Sequence, residues 1–188
     1  ARALSGRPKG VGARPEEITT EWSAQAGNFI FGQRRVAGVI GDRFTSGDKN
    51  RYLHFAVLLA RHQVEAIDDV WIDDTRITNA QWNSTTGAVT SGRLAGKVSI
   101  WKHLGTDAQA ADAQLVAGCS DYDSNYRARG NAYLHIRCEF DEKVWDSGPP
   151  QSIYALVKGQ RVYDPRLDST NGGSGSQRVS QPTTWAYS

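Results

Sequence analysis

"AYLHIRCEFD", residues 132–141, decides the fold class of this chain, because its side chains alternate with a period of two. Tyr133, His135, Arg137 and Glu139 fall on one side of a strand, and Leu134, Ile136, Cys138 and Phe140 on the other. Neighbouring segments repeat the theme. "RYLHFAVLLA" (51–60) holds the longest apolar run, "FAVLLA", flanked by His54 and Arg61, which reads as a buried strand. "KVSIWKHLG" (97–105) is a strand with Val98 and Ile100 on one face. In "HQVEAIDDVWIDDTRIT", Val64, Ile67, Val70 and Ile72 sit among polar partners as in a half-buried meander.

Turns complete the pattern. "VWIDDTRIT" (70–78) predicts a hairpin with Asp73-Asp74 at its tip, and "YALVKGQRVYD" (154–164) a second one with Lys158-Gly159 at its tip and Gly159 at positive φ. In "GNFIFGQRRVAGVIGD" (27–42), the residues Ile30, Val36, Val39 and Ile40 among Gly27, Gly32 and Gly38 indicate short strands broken by bends or bulges. Residues 79–97 are turn-rich and predict a loop or ragged hairpin. One helix is expected over "TDAQAADAQLVAG" (106–118), started by Thr106 or Asp107 and ended by a left-handed Gly118. About seven strands and one helix make the chain mainly β, a β-sandwich or small barrel.

At 188 residues and 39% hydrophobic content, the chain suits one domain, and no run approaches the roughly 18 apolar residues of a membrane span. The net charge of +2 comes from scattered Lys and Arg, without the concentrated basic face of a sequence-specific nucleic-acid binder. Cys119 and Cys138 read as free thiols. The segment 1–27 reads as an N-terminal arm or linker, 28–168 as the β-rich module, and 169–188, with "STNGGSGS", as a flexible connector. The chain starts with Ala, lacks Met and stops at "TTWAYS", so it is expected to be a piece of something longer.

Reactive groups lack the spacing that chemistry needs. His135 and Cys138 in "HIRC" are three apart on a strand and point to opposite faces, so they share no metal. His54, His62 and His103 lack ligand spacing too, and each reads as structural. The aspartate pairs 68–69 and 73–74 fit turn and strand chemistry better than a paired-carboxylate site. There is no G-x-S-x-G, and Cys119 has no basic neighbour in sequence. "DYDSN" (121–125) resembles part of a calcium loop without its sixth-position Gly or closing Glu. No catalytic residue, metal ligand or cofactor is assigned. Six tryptophans remain, of which Trp71 and Trp101, with Arg34, are the candidate interface residues. The competing reading is a carbohydrate- or receptor-binding sandwich using Trp71, Trp82 or Trp101 as a platform.

Five segments, "FIFGQRRVAG", "YLHFAVLLARHQVEAIDDVWIDD", "GKVSIWKHLGTDAQAADAQLV", "SNYRARGNAYLHIRCEFDEKVW" and "YALVKGQRVYDPR", resemble in this order the N-terminal hub region of siphophage tail-tip proteins, the tip attachment protein J family. The resemblance runs over roughly residues 28–188, and Val157 through Arg166 is its most specific part. It implies a virion part without enzymatic activity: a trimeric tail-tip hub that closes the tail tube, contacts the distal tail and tape-measure proteins, and supports host attachment and DNA ejection. It also implies assembly in the bacterial cytoplasm. Receptor binding belongs to the family's C-terminal region.

Overall fold

The computed structural model of the chain describes residues 27–146 and 148–187; the expected arm over 1–27 lies, but for Gly27, outside them. Eight strands and one short α-helix are present among the described residues. The strands are β1 (Gln33–Ala37), β2 (Val39–Ser46), β3 (Tyr52–Ala60), β4 (Ala66–Ile72), β5 (Thr75–Ile77), β6 (Val98–His103), β7 (Ala132–Glu139) and β8 (Ile153–Lys158). They form two antiparallel four-stranded sheets, ordered β1-β8-β4-β5 and β2-β3-β7-β6. The fold is therefore mainly β and sandwich-like.

Strand alternation explains the core. Phe55, Val57 and Leu59 of β3, Leu134, Ile136 and Cys138 of β7, and Val98 and Ile100 of β6 face Val36, Val70, Ile72, Ile77, Ile153, Ala155 and Val157 of the other sheet. Burial of each large aliphatic side chain contributes roughly 1.5–3 kcal/mol. The chain passes between the sheets at Gly38, where β1 ends and β2 begins. A bulge after Ile40 then restores the register against β3. Residues 79–97 form a ragged hairpin closed by the Trp82–Val89 bridge, and they bury Val89 and Leu94 at the margin of the core.

Three expectations need correction. The helix, α1, covers only Ala113–Gly118. Its start is set by Asp112, whose carboxylate accepts from the amides of Gln114 and Leu115. Residues 106–111 stay irregular because the Gln109 carboxamide accepts from Gly105 N and donates to the carbonyls of Arg127 and Ala128. Gly118 lies inside the helix, and Cys119 at the C-cap is extended with φ −143°. Second, the serine- and glycine-rich stretch folds back on itself. Asp168, 1% exposed, anchors it by accepting from Thr170, Tyr163 and Arg178.

Third, Lys158-Gly159 is not a hairpin tip. Lys158 ends β8, which is flanked by β1 and β4, and Gly159 has no left-handed φ. The chain runs on to bridge Val162 with Ala186. Glycine is required there by close approach: a Cβ at 159 would collide with the carbonyl oxygen of Ile30. Gly159→Ala is expected to lower the unfolding free energy by about 1–3 kcal/mol, the usual cost of overpacking against an unyielding neighbour. An unchanged urea midpoint would show that the Ile30 backbone can move aside.

Candidate functional site

Three places in the molecule stand out, two for their polar and charged groups and one for exposed rings, and the first is buried. On the outer face of the second sheet, Phe44, His54, Tyr133, His135 and His103 come from four adjacent strands. Alternation puts them on one face. Helix α1 and the loop after it cover them with Leu115 and Tyr122, both buried against Tyr133. This is why Tyr133 and His135, on the polar side of 132–141, are both 0% exposed, while Arg137 and Glu139 on the same side are half-buried.

The histidines beneath this cover form a chain of hydrogen bonds. Ser46 Oγ lies 2.8 Å from His54 Nε2, and His54 Nδ1 lies 2.9 Å from His135 Nε2. His135 Nδ1 and His103 Nε2 lie 3.0 and 2.8 Å from the same Asp112 oxygen, Oδ2. Asp112 therefore accepts from two imidazoles through Oδ2 and from two backbone amides through Oδ1, using its full acceptor capacity. The carboxylate can only accept, so the direction of the whole chain follows. His135 donates from Nδ1, its Nε2 accepts from His54 Nδ1, and His54 Nε2 accepts the Ser46 hydroxyl proton.

Electrostatics follow from burial. Burial alone would raise the Asp112 carboxyl, but the donors His103 and His135 hold it far below the usual carboxylate range. Burial lowers His54 to about 4, with His135 and Arg137 acting in the same direction. His135 is lowered by burial against the opposing pull of Asp112. Both rings are thus neutral at pH 7. A hydroxyl, imidazole and carboxylate in series also describes nucleophilic enzymes, with one imidazole fewer. Here Phe44 covers a face of the His54 ring at 4.5 Å, the hydrogen bond to His135 occupies its Nδ1 edge, and the chain ties α1 to the sheet.

The second place is the outer face of the first sheet. Arg35 lies over Trp71 at 4.5 Å and over Tyr154 at 4.6 Å, and Arg76 lies 5.4 Å from the Trp71 ring while pairing with Asp69. Trp71 is thus half-buried, held by guanidinium groups. Trp101 is half-buried as well, stacked on His135 at 4.7 Å and flanked by Arg137 at 5.2 Å. Trp82 carries Lys102 at 4.1 Å and donates from Nε1 to the carbonyl of Ile100. Each of these three rings has a cation or an imidazole against it. Arg34 is exposed.

The third place is the edge at β1, where Phe29 and Phe31 are 68% and 63% exposed. The sequence draws attention to the tryptophans, and these two phenylalanines are the more exposed rings. Their signal was present: "FIF" alternates with a single buried Ile30 between two outward rings.

Asp73 and Asp74 are the two residues between β4 and β5, with Asp73 at φ 50°. The Asp73 carboxylate accepts from the amides of Gln151 and Ser152, which ties this tip to the start of β8. Asp123 of the "DYDSN" loop accepts from Asn125, while Tyr122 donates to Asp42 at 2.5 Å. Cys119 and Cys138 are both free, and burial pushes the Cys138 thiol up to about 12. Among the described residues no group of three or more His, Cys, Asp or Glu is placed to hold a metal ion, and no helix is long and apolar enough to cross a membrane.

No protein-family model matches the chain, and no curated protein matches it. Among solved structures, a chain of the virion of a native gene transfer agent (GTA) particle is similar to it, with 17% identity and a TM-score of 0.46. The similarity covers 70% of this chain and 26% of that chain.

Proposed function

We propose that this chain is a structural and assembly part of a phage-type virion, belonging to the tail-tip hub that closes the tail tube and supports host attachment and DNA ejection. The observation that carries the reading is the ordered resemblance of five segments to the hub region of tip attachment proteins. Its most specific part also has a physical basis, because the residues from Val157 to Arg166 do structural work here. Lys158 pairs with Asp68, Gly159 admits the Ile30 backbone, Arg161 pairs with Glu65, and Asp164 caps the turn at Pro165 while binding Arg166. A motif built from such residues specifies a shape rather than a reaction.

In this reading the chain acts through protein contacts and carries no catalytic step. Arg34 and the guanidinium-held Trp71 are surface residues for neighbouring tail proteins, such as the distal tail and tape-measure proteins. The hub assembles as a homotrimer in the host cytoplasm and ends at the virion tail tip. Trp101, half-buried with its ring stacked on His135, is the third contact residue in this reading. Gold-labelled antibodies against the chain are expected to mark one end of the tail on purified particles. Label confined to the particle-free fraction of the lysate would refute the virion role, and label along the tube or head would refute the tip position.

A further inference from the structure

We propose that the free edge of β1, with Phe29 and Phe31, takes up an extended acidic segment of another protein as an added strand. The backbone geometry comes first. Gly32 O accepts from Gly159 N, and Gly38 N donates to Ile153 O, both at 2.9 Å. Even-numbered residues of this strand therefore bond to β8, and Gln33, Arg35 and Ala37 turn their N–H and C=O groups the other way. Among the described strands none pairs with that side, because β1 is the edge of its sheet. Such an edge is a template for one more strand.

The approach to the edge is rigid. Ile30 is buried, its amide donates to His62 Nε2 at 2.8 Å, and its carbonyl accepts from Gln160 N at 2.9 Å. Arg61 N donates to Asn28 O at 3.1 Å, and the Phe29 ring stacks on His62 at 5.3 Å. Phe29 and Phe31 are therefore held outward by a fixed backbone rather than exposed by fraying. Rings displayed two residues apart suit alternate apolar side chains of an incoming strand.

Charge selects the occupant. The cleft along this edge, about 530 Å³, is lined by Arg34 and Arg35 and, among the described residues, by no acidic one. Arginines alone would be the charge that natural edges carry against unwanted pairing. That explanation leaves the two exposed phenylalanines without a role, whereas an acidic segment with alternating apolar residues uses both. The inference stands on this edge and does not depend on the virion role.

The test uses the full chain and a fluorescein-labelled peptide of alternating Glu and Val, followed by fluorescence anisotropy. The acidic peptide is expected to bind, with its Lys–Val counterpart at least about tenfold weaker. Methylating alternate backbone nitrogens, which keeps every side chain, is expected to weaken binding by about tenfold or more through the lost ladder. Phe29→Ser with Phe31→Ser should do the same, and Arg34→Glu with Arg35→Glu should invert the charge preference. No binding, equal binding of the methylated peptide, or indifference to both double variants overturns the proposal. So does a concentration-dependent dimer, in sedimentation, that both double variants abolish, since the edge would then be filled by a second copy.

Discussion

Asp112→Ala is expected to remove about 3–5 kcal/mol of unfolding free energy, the range for breaking a buried, fully bonded charge. Asp112 is 4% exposed, and its carboxylate serves two imidazole donors and two amides of the first turn of α1. Alanine leaves all four donors without this acceptor beneath a closed cover, and loss of the N-cap accounts for only about 1 kcal/mol of the total. Asp112→Asn should be milder, at about 1–2 kcal/mol. An asparagine oxygen still caps the helix, and its amide can donate to His103 and His135 if these two rings and His54 change tautomer. The chain then runs in reverse and ends on Ser46, whose hydroxyl accepts as readily as it donates. Urea unfolding at pH 7.5 separates the two variants. Equal losses, or a loss below about 1 kcal/mol for alanine, would mean that the histidines do not depend on this carboxylate.

The second large effect is acid destabilisation. His54 ionises near 4 in the folded chain, against 6.5 for an ordinary histidine. The unfolded chain therefore binds more protons between these values. The stability associated with neutral His54 is fully present above pH 6.5, is lost as pH falls towards 4, and changes no further below that. At pH 4.5 this amounts to about 2–3 kcal/mol. His135, lowered in the same direction by burial, adds to the loss. The geometry accounts for the cost: a protonated His54 has no lone pair for the Ser46 hydroxyl, and a protonated His135 donates from both nitrogens and clashes with His54. The Asp112 carboxyl, held below its ordinary range, gives way only in stronger acid, so its loss occupies a separate and lower window. Calorimetry between pH 7.5 and pH 4.5 should show a falling Tm, and His54→Gln should flatten that fall. A Tm independent of pH across the interval would contradict a buried neutral pair.

The fold class was legible because a strand's period of two is a property of the chain alone. Residues 132–139 alternate in the sequence, and the same two sets of side chains line the two faces of β7. The run "FAVLLA" is buried along β3 on both sides, with Phe55, Val57 and Leu59 in the core between the sheets and Ala56 and Leu58 on the outer face, the one that α1 and the loop after it cover. Asp73-Asp74 between β4 and β5 reflects local turn chemistry, which the two residues carry with them.

Other features depend on which strands become neighbours. Gly159 looks like a turn residue in isolation, and only the Ile30 backbone lying against it shows that close approach is the requirement. The segment 106–118 has a helical composition, yet Gln109 and Asp112 find better partners across the fold than within a helix, and α1 is left with six residues. His54 and His135, eighty-one positions apart, read singly as structural, and their hydrogen bond exists only because β3 pairs with β7 in one register. The sequence by itself determined the strands, their faces and a turn, since these are local consequences of side-chain pattern. The tertiary structure alone decided the histidine chain, the length of the helix and the place of β1 at the end of the described strands of its sheet, because each is a relation between segments that the order of residues does not contain.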